Sequence, residues 1–129
     1  MHTLQNPAKN VWRIRGLVIV LSLLMPVFGE AAETDYGQLV DEIDHRLHKA
    51  VELYKKGDSK AALEKAKTSY FELFENLEGP IRTNVSASKN SMMEISFVQI
   101  RSMIKKEKSE QQVAEKVDAL VAEIREVLP

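Results

Sequence analysis

The chain has 129 residues, with 18 Lys+Arg against 19 Asp+Glu, 3 His and no Cys. That length holds one domain, a net charge of −1 gives no general pull toward nucleic acid, and the missing Cys excludes disulfides, thiolate nucleophiles and Cys-ligated zinc. Only 6% of residues are aromatic, and there are 5 Gly and 4 Pro, which suits helices rather than a β-sandwich.

The N-terminus reads as an address. Lys9, Arg13 and Arg15 form a basic region. The run GLVIVLSLLMPVF follows over residues 16–28, and then Gly29-Glu30-Ala31 puts small residues at −3 and −1 of a cleavage after Ala31. This is the layout of a secretory signal peptide over residues 1–31. The alternative is a short N-terminal anchor. Thirteen residues give about 20 Å of helix at roughly 1.5 Å per residue, against a bilayer core of about 30 Å. Leaving out Lys9, Arg13, Arg15 and Glu30, residues 32–129 carry 15 basic and 18 acidic side chains, a net −3. The expectation is an exported, periplasmic domain over 32–129, or the same domain held at the inner membrane by residues 16–28.

Four helical segments follow from the apolar period. Leu39, Ile43, Leu47, Ala50, Val51 and Tyr54 make one stripe. Thr34 or Asp35 caps its start, and Lys55, Lys56 and Gly57 close it. Asp58 or Ser59 caps a second helix, with Leu63, Ala66, Tyr70, Leu73, Phe74 and Leu77 on its core face. Gly79-Pro80 is expected to stop or kink it, because proline has no N–H and crowds the preceding turn. Residues 81–91, IRTNVSASKNS, read as a short helical turn and then a loop. Ser86 or Ser88 caps the third helix, with Met93, Phe97, Ile100 and Ile104 as its stripe. Ser109 caps the fourth, with Val113, Val117, Leu120, Val121, Ile124 and Leu128 on one face.

The short outer loops imply antiparallel neighbours. The predicted fold is therefore all-α, an antiparallel up-down-up-down four-helix bundle behind the signal peptide. A tetratricopeptide-like hairpin over 38–77 ranks lower, since its period is not repeated after Gly79.

Several residues carry candidate chemistry. Asp41, His45, His48 and Glu52 stand at i, i+4, i+7 and i+11, all within an arc of roughly 60° at about 100° per residue. Such a line is either a solvated face of acid–His pairs or two nitrogens and two carboxylates for a metal. Glu75 and Glu78 flank the second stripe, and Glu94 flanks the third. Carboxylates at the edges of facing helices either converge on a hard cation or pair with Arg82 and Arg101. Met92, Met93 and Met103 read as core packing rather than a copper(I) site. Asn84-Val85-Ser86 matches a glycosylation sequon, relevant only on a eukaryotic secretory route. Lys105, Lys106 and Lys108 read as a helix C-terminal charge set.

No Ser/His/acid set is suggested, and both mature His residues share one helix, so the chain reads as a non-enzyme. There is no Gly-rich phosphate loop and hence no nucleotide expectation. There is no Cys-x-x-Cys-His motif, and a noncovalent haem on His45 or His48 would need that face turned inward.

The stretch from Ala62 to Arg101 resembles the extracytoplasmic N-terminal region of bacterial high-affinity iron permeases. The residues that carry the resemblance are Ala66, Tyr70-Phe71, Phe74-Glu75, Glu78 and Ile81, then Glu94, Phe97 and Arg101. Those permeases also carry transmembrane helices with Arg-Glu-x-x-Glu iron motifs, and this chain has neither. The resemblance implies a periplasmic module tied to iron uptake that binds or hands over iron, or docks on a membrane iron permease. Glu75, Glu78 and Glu94 are its implied iron ligands, and these should converge in space. The competing reading is a metal-free helical adaptor that binds a membrane partner or itself as a homo-oligomer. That reading expects an exposed apolar patch around Phe71 and Val98, which sit off the main stripes.

Overall fold

The computed structural model describes residues 34–128, of which 87% are helical, with no strand among them. The elements are α1 (Tyr36–Lys55), α2 (Ser59–Thr68), a π-helical segment (Ser69–Phe74), α3 (Glu75–Asn84), α4 (Ala87–Lys105) and α5 (Glu110–Val127). Helix α2, the π segment and α3 run on without a break, so the elements make four helical rods. The region expected to be a signal peptide or anchor, residues 1–31, lies outside the described residues. Among the described residues no helix is long and apolar enough to cross a membrane.

Each rod begins on a side chain that accepts from its first turn, as free helical N–H groups require. Asp35 accepts from the Gln38 N–H, Asp58 from Ala61 and Ser86 from Lys89. Ser109 forms a reciprocal capping box with Gln112. Gly57, at φ 83°, turns the chain out of α1 through the left-handed region, which a side chain disfavours.

The second rod departs from the sequence expectation. The helix passes through Gly79-Pro80 to Asn84, and only Val85 and Ser86 separate it from α4. The expected loop over 81–91 is thus mostly helix. The reason lies in what flanks the proline. Leu77 and Ile81 are both fully buried, so stopping at Gly79 would expose Ile81. Pro80 cannot donate to the Asn76 carbonyl, but Asn76 is on the exposed face, where water can satisfy that group. Burial of a large aliphatic side chain is worth about 1.5–3 kcal/mol, comparable to the roughly 3 kcal/mol that an internal proline costs.

One core joins all the rods. It includes Ile43 and Leu47 of α1, Phe74 of the π segment, Ile81 of α3, Phe97 and Ile104 of α4, and Leu120 and Ile124 of α5. Helix α1 packs on α2, the π segment and α5, and α4 packs on α2, α3 and α5. Leu39, Leu63, Tyr54 and Tyr70, expected as core, are only partly buried at its margin. Tyr54 donates its hydroxyl to the Lys108 carbonyl at 2.6 Å, tying the end of α1 to the α4–α5 connection.

Candidate functional site

The π segment organises the most unusual part of the molecule. Its wider turn is marked by the Glu75 N–H reaching the Tyr70 carbonyl, five residues back. Interruptions of this kind are frequent at functional sites. Here one places Tyr70 and Phe74 against Phe97 of α4 while leaving Phe71 half exposed.

The aromatic contacts are specific. Tyr70 meets Phe71 edge to face, with centroids 4.9 Å apart and planes at 85°. Tyr70 lies 5.8 Å from Phe74 and 5.4 Å from Phe97, and Phe74 and Phe97 are 4.9 Å apart. The Arg101 guanidinium sits 5.9 Å from the centroids of both Tyr70 and Phe71, within cation–π range.

Carboxylates border these rings. The Tyr70 hydroxyl donates to Glu78 Oε1 at 2.8 Å. Arg82 donates to Glu94 Oε1 at 2.7 Å and lies 3.5 Å from Glu78 Oε2. Asn90, fully buried, donates to the same Glu94 oxygen at 2.5 Å. The Tyr70 phenol is pushed up to about 12 by burial first, then by its hydrogen bond to Glu78 and the charges of Glu78, Glu94 and Glu75. At neutral pH it is therefore a hydrogen-bond donor. Glu94 in turn holds Arg82 more firmly protonated.

Two buried polar atoms here have no hydrogen-bond partner among the described residues, Asn90 Oδ1 and Arg101 Nη1. Each such group costs roughly 1–3 kcal/mol. Their placement on either side of Glu94 and Phe97 along α4 puts that cost at the cluster.

The sequence candidates distribute unevenly over this geometry. Glu78 and Glu94 are brought together, with Arg82 bonded to one and close to the other. Glu75 is exposed and joins neither bond. The line Asp41, His45, His48 and Glu52 is divided among separate partners. Asp41 pairs with Arg125 at 2.9 Å, and Glu52 with Lys49 at 2.8 Å. His48 bridges Asp44 at 2.6 Å and Asp118 at 2.8 Å, and His45 is exposed. Among the described residues no group of three or more His, Asp or Glu is arranged to hold a metal ion.

Sequence reasoning missed Asn90, Asp44 and Asp118. Asn90 carried a usable signal, since it falls three residues before Met93 on the core stripe. Asp44 carried one as well, four residues before His48 on α1, whereas Asp118 carried none, because its pairing with His48 joins α1 to α5. A groove of about 580 Å³ near the start of α1 is lined by Asp35, Leu39, Glu42, Leu73, Asn76 and Pro80 and shares no residue with the cluster.

Comparison with known proteins finds no matching family model, no matching curated protein and no matching solved structure.

Proposed function

We propose that the chain is an extracytoplasmic helical module associated with iron uptake, and that it works by docking on a membrane iron permease. In this reading residues 1–31 direct export or anchor the chain, and residues 32–129 form an up-down-up-down four-helix bundle. The docking edge is the half-exposed Phe71 ring with Arg101 over it. The observation that carries the proposal is a convergence. Of the ten residues that carry the iron-permease resemblance, seven (Tyr70, Phe71, Phe74, Glu78, Glu94, Phe97 and Arg101) meet in one cluster around the π segment, while Ala66, Glu75 and Ile81 stand outside its contacts. Aromatic residues, phenylalanine included, and arginine are enriched at protein–protein interfaces relative to the rest of the surface.

A second reading has the module hold iron itself, and the approach of Glu78 to Glu94 favours it. Their carboxylates are hard donors suited to iron. Arg82 lies between them, so a cation entering there must displace it. The docking reading needs no such displacement.

Iron uptake in host cells lacking this chain, restored with wild type or Phe71→Asp, tests the proposal. Phe71→Asp should bring uptake toward the deletion level while the helical circular dichroism at 222 nm is kept, because Phe71 is 50% exposed and its loss removes only edge contacts. Uptake indifferent to the deletion overturns it in favour of the metal-free adaptor. Thermal unfolding with ferric and ferrous iron separates the second reading. A ligand specific to the folded state adds about 2.7 kcal/mol at a hundredfold excess over Kd. A rise abolished by Glu94→Ala assigns iron to the protein itself.

A further inference from the structure

The outward face of α4 differs from the other helix surfaces. The most exposed residues between Ala87 and Gln99 are uncharged, and the half-exposed Lys89 is turned aside to Glu126 of α5 at 3.7 Å. Its centre is apolar, with Met92 56%, Ile95 54% and Val98 54% exposed. The exposed residues of α1 and α5 include Asp41, Glu52, Asp118 and Glu126. Three large apolar side chains in a row on a neutral strip mark a contact surface rather than a solvated one.

The strip reads alike in both directions from Ile95. Three residues away stand Met92 and Val98, four away Ser91 and Gln99, and seven away Ser88 and Ser102. Offsets of 3, 4 and 7 stay on one helix face. Two copies of α4 laid antiparallel about a two-fold axis at Ile95 therefore set apolar side chains on apolar ones, Ser91 on Gln99 and Ser88 on Ser102. A two-fold interface requires such self-complementarity, since residue i meets j while j meets i. The strip is neutral, so a copy of itself meets it without repulsion, and the end serines allow close approach. A partner of another kind would not require the symmetry.

We infer that the outer face of α4 docks on the same face of a second copy, antiparallel, with Ile95 at the two-fold axis. This strip shares no residue with the Phe71–Arg101 edge or the Glu78–Arg82–Glu94 group. The strip from Ser88 to Ser102 spans about 21 Å at 1.5 Å per residue. One helix pair of that length lies at or below the low end of specific interfaces, which bury about 1,200–2,000 Å². The dimer is accordingly concentration-dependent.

Sedimentation equilibrium of protein purified from cells expressing the full chain tests this. The wild type should pass from monomer to dimer as concentration rises through the micromolar range. Ile95→Asp and Ile95→Lys should each weaken association at least about 100-fold, because each sets two like charges together at the axis. An equimolar mixture of the two variants should dimerise again, since Asp then faces Lys. Met92→Asp should also weaken the dimer, by placing a charge against Val98 of the second copy. Unchanged helicity in these exposed-site variants shows that the fold is intact. A wild type that stays monomeric, a dimer indifferent to Ile95, or a mixture no tighter than either variant alone overturns the inference.

Discussion

Replacing Tyr70 with Phe isolates the bond that joins the aromatic and acidic halves of the cluster. The ring contacts to Phe71, Phe74 and Phe97 are kept, and only the hydroxyl that donates to Glu78 at 2.8 Å is removed. A hydrogen bond to a charged acceptor contributes about 1.5–3 kcal/mol. Glu78 keeps Arg82 at 3.5 Å and a side chain 18% exposed, so water and the guanidinium compensate in part. The expected loss is therefore at the low end, about 1.5 kcal/mol. For a domain of this size 1 kcal/mol moves Tm by about 4–8 °C, giving a drop of roughly 6–12 °C. Urea unfolding followed by circular dichroism at 222 nm, with the denaturant slope unchanged, gives the free energy directly. The cycle with Glu78→Gln should return a coupling of about 1 kcal/mol, which separates this bond from any general loosening. A Tyr70→Phe cost below about 0.5 kcal/mol, or a coupling of zero, would refute the view that this contact holds the site together.

Three further outcomes are expected. Pro80→Ala supplies an N–H for the Asn76 carbonyl and should raise the unfolding free energy read from urea titration, by up to about 3 kcal/mol if the helix needs no other adjustment. A fall would show that the proline is matched to a local bend. Glu107 sits at φ 54°, a strained region for a residue with a side chain. Glu107→Gly should stabilise by up to about 1 kcal/mol in the same assay, and destabilisation would contradict the strain argument. The α1–α5 link should be pH-dependent. Burial lowers the His48 pKa, but the hydrogen bonds that the imidazolium donates to Asp118 and Asp44 outweigh it and hold the ring above its usual 6.5. Burial raises Asp44, but Arg125 and His48 outweigh it and hold the carboxyl below 3.8. The His48 contribution is complete below pH 6.5 and fades as pH rises through its folded pKa. The Asp44 contribution is complete above pH 3.8 and fades as pH falls through its folded value. Stability from this link should peak between pH 3.8 and 6.5. Tm should therefore fall from pH 6 to pH 8 more steeply in the wild type than in His48→Gln. Equal slopes would exclude His48 as the cause.

Helical character, the apolar stripes and the helix starts are legible in the amino-acid order alone. These are local properties. A period of 3.6 residues is visible in Ile43, Leu47 and Val51 or in Val113, Val117 and Leu120 without knowing what they pack against, and a cap needs only its own first turn. Asp35, Asp58, Ser86 and Ser109 cap the rods from within the narrow choices that local chemistry left open. Features that depend on distant neighbours emerge only when the rods pack. Pro80 looked like a stop, yet burial of Leu77 and Ile81 on either side carries the helix through it. The π segment has no local signature in SYFELF, and it is seen only once Phe74 and Tyr70 are set against Phe97. Glu78 and Glu94 belong to different rods, so their meeting at Arg82 depends on how α3 and α4 pack. The same holds for His48, whose spacing suggested Asp41 and Glu52 as companions but whose partners are Asp44, one turn away, and Asp118, on α5. Helical spacing says which residues share a face, and only packing says which charge lies opposite.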